Sequence, residues 1–350
     1  MALLPEIVRR TVKARLAGAN PFAAKPQKQI PSASLYFADP LADLIGSRAG
    51  AKERPIHKIT RNLYVSEGSA VIIRYVTPRD LQVLETRRFE KVYLLIDDDM
   101  FALDHDDSLP ADYRRRMLGY RDGLFRRLLD LVTHVVAPSE NILAAYRRKR
   151  ALQLDPAQCH KAGALVHHDK TRQFDVVFAA TRSHLQDLNH MAPALAEFLA
   201  VCPEARLTTF LNGHAPKVLK HLANAIHLPT MDWSRYRVFV AENRFHAAIA
   251  PALDTPFNRA RSISRLHDHA AFGSAGLYSR HPPFADAVAH GQSGLLLSND
   301  PAEWRNTLID LARARKHTMD LAAGGQVLSR ALGDMARVRN FWMQELNFAS

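Results

Sequence analysis

The sequence predicts an α/β protein made of two consecutive Rossmann-like halves, each a mostly parallel sheet covered by helices. Three observations lead there. First, residues 247–279 read as a strand–loop–helix–strand unit. Ala247–Ala250 is apolar, a polar loop runs from Pro251 to Asn258, Arg259–Phe272 is helix-compatible, Gly273 stands at the C′ position, and a new strand starts at Leu277. Second, Lys91–Ile96 is an almost unbroken apolar run, as a central parallel strand requires, and it ends in Asp97, Asp98 and Asp99. Third, the alternation of strand and helix breaks at the polar segment His167–Arg172 and restarts with Phe174–Ala179.

The chain has 350 residues, 47% of them hydrophobic, which is enough for two cores. Its 47 Lys and Arg against 35 Asp and Glu give a net charge of +12, which points to an anionic partner: nucleic acid, anionic lipid or a phosphate-bearing substrate. Cys159 and Cys202 form no CxxC pair, so neither a disulfide framework nor a zinc knuckle is implied and a reducing compartment is expected. No apolar run approaches bilayer length, and Arg9, Arg10, Lys13 and Arg15 interrupt any secretory pattern. The expectation is a cytoplasmic protein, soluble or associated with the inner face of the membrane.

In chain order, residues 1–30 read as an amphipathic helix (Leu3, Leu4, Ile7, Val8, Val12, Leu16) and a proline-containing linker. The helix suits either packing or a surface anchor on anionic lipid. Residues 31–170 form the first half. A strand is expected at Ser34–Ala38, a helix at Leu41–Arg48, a strand at Val71–Val76 and a helix from Pro78 through Leu84. Further on, a helix is expected at Ala111–Leu131, a strand at His134–Ala137 and a helix at Glu140–Leu152 capped by Ser139. The arginines of the two later helices suggest a cationic exterior, for which a solvated face is the simplest account. Residues 171–325 form the second half, with a helix at His190–Val201, a strand at Leu207–Phe210 and a turn at Leu211–His214. It continues with a helix at Lys217–Ala225, a helical turn at Trp233–Tyr236, a strand at Leu295–Leu297 and a helix at Pro301–Arg313 begun by Asp300 or Pro301. Residues 326–350 read as a C-terminal helix that packs back on the first half. No GxGxxG, P-loop, HExxH or GxSxG motif occurs.

In parallel sheets ligands bind outside the carboxyl ends of the strands, beside helix N-termini. After Ala247–Ala250 that place carries Asn258, Arg259, Arg261, Ser262 and Arg265, with Asp268 a turn beyond. Spacings of four and three would put Arg261, Arg265 and Asp268 on one helix face, suited to a phosphorylated, hydroxyl-bearing ligand. By spacing alone an ordinary solvated helix with Arg–Asp pairs fits as well. His184 follows a strand on the ligand side. The three consecutive aspartates would point to alternating faces, which disfavours convergence on one metal ion, and no metal is expected. Trp233 and Tyr236 suit either sugar stacking or core packing.

Several segments carry a likeness. They are Ile96–Phe101, Val135–Glu140, Thr181–His184 with Asp187-Leu188, Pro256–Ser262 continuing to Asp268–Gly273, and His290–Leu296 with Trp304 in the following helix. Over about residues 90–310 the chain resembles glycosyltransferases of the GT-B fold, especially the group-1 type of bacterial capsule and O-antigen pathways. The resemblance implies two Rossmann-like domains facing across a cleft, with a nucleotide-diphosphate sugar as co-substrate and no other cofactor. It implies a hexosyl-type transfer to a glycan or lipid-linked acceptor; peripheral contact with an anionic membrane is expected from the basic amphipathic N-terminal helix, and no nucleic-acid partner is expected. On it, Arg182, Arg261 and Arg265 would meet the diphosphate, Asn258 and Ser262 would lie beside it, and Asp268 would take the ribose hydroxyls. Asp97, Asp98 or Asp99 would face the acceptor, and Asp99 and His184 are the candidate catalytic bases. One departure stands out. The family pairs the acidic residue at 268 with a Glu eight positions earlier, and here that position is Ala260. A non-catalytic GT-B-like glycan- or nucleotide-binding scaffold is therefore the alternative. Nucleic-acid binding rests on charge alone, without aromatic platforms or recognition motifs.

Overall fold

The computed structural model describes residues 29–46, 54–170 and 172–348; the expected N-terminal amphipathic helix lies outside them. The chain forms two sheets. The first contains β1 (Ile45–Gly46), β2 (Ile56–Lys58), β3 (Leu63–Ser66), β4 (Ser69–Ile73), β5 (Lys91–Leu95), β6 (His134–Ala137) and β7 (Arg150–Gln153), in that spatial order. All neighbours are parallel except β3, which runs antiparallel to β2 and β4. The second contains β8 (Phe174–Phe178), β9 (Ala205–Thr209), β10 (Ala225–His227), β11 (Ala247–Ala250), β12 (Ala275–Ser279) and β13 (Leu295–Leu297). Its order is β10-β9-β8-β11-β12-β13 and every neighbour is parallel.

These orders have different consequences. From β4 to β7 the first sheet winds in one direction, so right-handed crossovers put its helices on one face. That face holds Ala70, Ile72, Val92, Leu94, Val135 and Ala137. The intervening side chains Val71, Ile73, Tyr93, Leu95 and Val136 would leave the other face bare. Residues from both ends of the described chain cover it: Tyr36, Phe37 and Leu41 from one, Val338, Trp342 and Leu346 from the other. The helix Met335–Glu345 is held there by Trp342 Nε1, which donates to the Tyr36 carbonyl at 2.5 Å, and by Tyr93 OH, 2.9 Å from Glu345 Oε2. The second sheet reverses its order between β8 and β11, the switch point at which α/β sheets open a ligand crevice.

Several expectations are corrected. Ser34–Ala38 is a π-helical turn rather than a strand, with Ser34, Leu35, Tyr36 and Phe37 all buried. Residues 39–44 form turns and β1 follows, where a helix was expected. The expected helix Glu140–Leu152 is a short helix, Glu140–Ala144, followed by the edge strand β7. Residues 217–221 are turns before β10 rather than a helix. Arg259–Phe272 is not continuous: one helix spans Pro256–Arg259 and another Ser264–Phe272. Thr255 caps the first by accepting from the Asn258 N–H, and Gly273 ends the second with φ +68°. A side chain at Gly273 would press on the Ala164 carbonyl, 2.8 Å from its Cβ. The polar segment His167–Lys170 is a short helix docked on the second half, with His168 Nε2 2.9 Å from the Gly273 carbonyl.

The halves interlock beside the cleft. Phe257 and Ala260, although they follow β11, are buried in the apolar core of the first half, 1% and 0% exposed. Ser139 Oγ donates to the Ala260 carbonyl at 2.7 Å and Thr255 Oγ1 to Asp106 at 2.7 Å. Trp233 Nε1 donates to Ser34 Oγ at 2.8 Å.

Candidate active site

A cavity of about 850 Å³ opens between the two sheets at the carboxyl ends of their strands. Arg182, His184, Asn258, Arg261, Ser262, Arg265 and Asp268 all line it; Asp99 does not. The Asp99 carboxylate instead accepts the backbone N–H groups of Phe101 and Ala102, at 2.8 and 3.0 Å, and so caps the turn after β5. The carboxylates of that loop that face the cleft are Asp97 and Asp98. This corrects the expectation for Asp99.

His184 is 4% exposed and both its ring nitrogens are engaged. Nδ1 lies 2.8 Å from Asp187 Oδ2, and Nε2 meets Arg261 Nη1 in a short contact. A guanidinium only donates, so Nε2 is the acceptor and the imidazole proton sits on Nδ1, facing Asp187. Burial, then the charges of Arg261 and Arg265, hold the His184 imidazolium well below its ordinary range. His184 is thus a neutral, locked side chain, a geometry that suits holding Arg261 and not taking a proton from an acceptor. Asp187 completes the bridge: Oδ1 accepts from the Leu253 N–H at 2.8 Å and from Asn258 Nδ2 at 3.0 Å. Asn258 Nδ2 also donates to the Leu253 carbonyl at 2.9 Å, so its amide serves the loop more than the open cavity. Through this carboxylate the first turn of the helix Leu185–Val201, which follows β8, is tied to the loop after β11.

Arg265 and Asp268 lie on the helix Ser264–Phe272, while Arg261 lies in the link before it, so the shared helix face holds for two of the three. Among the described residues no protein hydrogen bond or ion pair engages the Arg265 guanidinium. Burial and then the neighbouring Arg261 lower its pKa to about 10. Asp268 Oδ2 accepts from Tyr236 OH at 2.8 Å, and burial pushes its carboxyl up to about 7 against the pull of Tyr236 and Arg265. Tyr236 stacks on Trp233 at 5.8 Å between centroids, and both line the cavity. Arg182 reaches across the cleft to Asp112, 3.2 Å away, at an exposed position. Ser262 Oγ donates to Ser264 Oγ at 3.0 Å.

On the opposite wall stands Arg74, at the carboxyl end of β4. Its φ of +60° is a left-handed conformation that a non-glycine residue rarely adopts. Its guanidinium lies 3.1 Å from Asp97 Oδ1, makes a short ion pair with Asp98, and sits 5.2 Å above the Tyr75 ring. Ser32 Oγ donates to Asp97 Oδ2 at 2.7 Å. Burial raises the Asp97 carboxyl, Arg74 opposes this, and Asp98 adds to it. By sequence Val71–Val76 reads as one strand, which hides Arg74; the strand ends at Ile73. The available signal was a basic residue closing an apolar run on the ligand side. Nothing in the sequence links Ser32 to Asp97. Among the described residues no group of three His, Cys, Asp or Glu side chains is arranged to hold a metal ion.

No protein-family model matches the chain, and no curated protein matches it in sequence. Among solved structures it is similar to Anabaena Alr3699/HepE in complex with UDP and glucose, at 12% identity over 80% of this chain and 78% of that one, TM-score 0.56. It is also similar to sucrose-phosphate synthase from Thermosynechococcus elongatus, at 12% identity over 76% and 69%, TM-score 0.53. TarM gives 7% identity over 79% of this chain and 54% of that one, TM-score 0.54. At these identities the likeness concerns architecture, and it agrees with two sheets whose strand ends face one another across a cavity. The chain has the fold of the GT-B glycosyltransferases.

Proposed function

We propose that the chain is a glycosyltransferase that binds a nucleotide-diphosphate sugar in this cavity and passes its sugar, a hexosyl unit, to a saccharide or lipid-linked acceptor. The observation that carries this reading is the grouping of Arg261, Arg265 and Asp268 at the switch point of the second sheet. Two guanidiniums meet a diphosphate, and a carboxylate one turn on from Arg265 takes the ribose hydroxyls. The main demand of the reaction is stabilisation of the charge that builds on the departing diphosphate, and fixed cations in a cleft supply it without reorganisation. The acceptor would enter against Asp97, Asp98 and Tyr75 on the facing wall. The nucleotide sugar is a co-substrate; no resident cofactor or metal is assigned, and no nucleic acid is a partner.

A role in surface polysaccharide assembly at the inner face of a membrane is part of this proposal. Its support is the exposed arginines of the first half, among them Arg115, Arg126, Arg147 and Arg148, which suit peripheral contact with anionic lipid. Among the described residues no helix is long and apolar enough to cross a membrane.

A second reading, a GT-B-like protein that binds nucleotide or glycan without turnover, is favoured by one observation: Ala260 occupies the position where the resembling family has a Glu. Titration calorimetry with nucleoside diphosphates, followed by mass-spectrometric screening of nucleotide sugars against saccharide and lipid-linked acceptors, separates the two. Binding and transfer support the enzyme, and binding without transfer supports the second reading. If no nucleoside diphosphate binds, the enzyme reading falls, and of the second reading only glycan binding is left.

A further inference from the structure

We propose that Asp187 and His184 form a positioning relay that presents one edge of the Arg261 guanidinium, Nε with Nη2, as a two-pronged site for a phosphoryl group. The proposal rests on the nucleotide-diphosphate reading for its natural ligand, but its geometry stands by itself. A guanidinium has two edges able to grip an oxyanion with parallel N–H groups: the end, Nη1 with Nη2, and the side, Nε with Nη2. Here one of the two Nη1 N–H groups is taken by His184 Nε2, while the side edge, Nε with Nη2, has no protein acceptor among the described residues. The edge with both donors free of protein acceptors is therefore the side edge. Arg261 Nε is buried and has no acceptor among the described residues, although Arg261 lines the cavity. A buried donor left unmet is costly, and an oxyanion in the cavity meets it.

The remaining contacts explain why the side chain cannot swing away. The guanidinium lies 4.7 Å from the centroid of the Phe257 ring, and Phe257 is 1% exposed in the core of the first half. His184 cannot turn, because its Nδ1 is fixed 2.8 Å from Asp187. Asp187 cannot turn either, because the Leu253 N–H and Asn258 Nδ2 hold its other oxygen at 2.8 and 3.0 Å. The relay thus runs from the loop after β11 through a carboxylate and an imidazole to one guanidinium. His184 touches no ligand in this scheme; it orients the group that does.

The test uses inorganic pyrophosphate and a set of nucleoside diphosphates as calorimetric probes, with the parent nucleosides as controls, on the full chain. His184→Ala is expected to weaken pyrophosphate and nucleoside diphosphates by about ten-fold or more, the scale of a hydrogen bond to a charged group, and to leave nucleosides within about two-fold. His184→Gln, whose amide oxygen can accept from Arg261, is expected to recover most of the loss and guards against a folding artefact. Arg261→Lys, a single point charge without a fork, is expected to lose as much as His184→Ala. The relay is overturned if folded His184→Ala protein binds pyrophosphate and nucleoside diphosphates as tightly as wild type, or if folded His184→Gln protein binds them no better than His184→Ala. It is overturned equally if nucleosides weaken in parallel, or if wild type binds no pyrophosphate. Wild type that binds pyrophosphate with the expected variant losses, but no nucleoside diphosphate, supports the relay and removes the nucleotide reading.

Discussion

Ser139 and Ala260, which belong to different halves of the molecule, are joined by a 2.7 Å hydrogen bond from the serine hydroxyl to the alanine carbonyl. The alanine methyl is wholly buried among the apolar side chains of the first half. Position 260 therefore faces a core and not the cleft. The missing acidic residue follows from this packing: a carboxylate here would lie in an apolar interface without a partner.

Ala260→Glu is accordingly expected to destabilise the protein by about 3 kcal/mol or more, through burial of an unpaired charge, and not to gain nucleotide-sugar affinity. Denaturant unfolding checks the first part and calorimetry the second. A variant as stable as wild type would show that the side chain can reach the cleft.

Arg74→Ala should leave the largely buried Asp97 and Asp98 carboxylates without their shared cation, at a cost of about 3 kcal/mol near neutral pH. Arg74 is the cation that restrains the Asp97 carboxyl against burial and Asp98, so its removal lets that pKa climb further. With the folded-state pKa raised, the variant's stability is fullest in acid, below the unfolded carboxylate range, and is lost as pH rises through the folded value. Unfolding curves at about pH 5 and about pH 7 should therefore differ from wild type less in acid. An equal deficit at both would contradict the pairing.

For Asp268 the carboxyl is raised to about 7, chiefly by burial. The folded state without ligand then holds this proton more tightly than the unfolded chain. Its contribution to stability is complete below the usual carboxylate range and is lost as pH rises toward about 7. Ligand hydroxyls that donate to a carboxylate impose the opposite trend, so nucleoside diphosphate affinity should rise between about pH 6 and about pH 8 in wild type. In Asp268→Asn that rise should vanish. Calorimetry at the two pH values decides it.

Arg265→Gln is expected to separate binding from stability. Burial and the neighbouring Arg261 disfavour the cation more than Asp187, Tyr236 and Asp268 favour it, and among the described residues no hydrogen bond or ion pair engages it. The variant should melt no lower than wild type, while nucleoside diphosphate binding falls by about ten-fold or more. A clear drop in melting temperature would mean that the guanidinium is structural.

Much of the second half was legible in the sequence. Ala247–Ala250 and Leu295–Leu297 are apolar runs between turn residues, and Asp300 caps Pro301–Arg313 by accepting from the Ala302 N–H. Such signals are local, so they survive without tertiary information. The misread elements take their state from a partner. β7 is a polar edge strand that exists because β6 lies beside it. Ser34–Ala38 is apolar enough for a strand, yet it covers a sheet face from above and has no ladder to join.

The site divides in the same way. Composition and position after β8 and β11 were sufficient to bring Arg182, His184, Asn258, Arg261, Arg265 and Asp268 to one cavity, because the carboxyl ends of parallel strands share one side of a sheet. Their surroundings were decided only in three dimensions. His184 became a holder of Arg261 because Asp187 and burial fix its neutral form, and Asp99 became a turn cap because its backbone neighbours reach it first. Arg74 entered the site through a left-handed turn that no periodicity announces. Ala260 fell on the far side of a helix break because Phe257 beside it is anchored in the other half. Residue order determines which strand end a side chain follows. Which way it then points depends on packing contacts between segments far apart in the chain, and these exist only once both halves have folded.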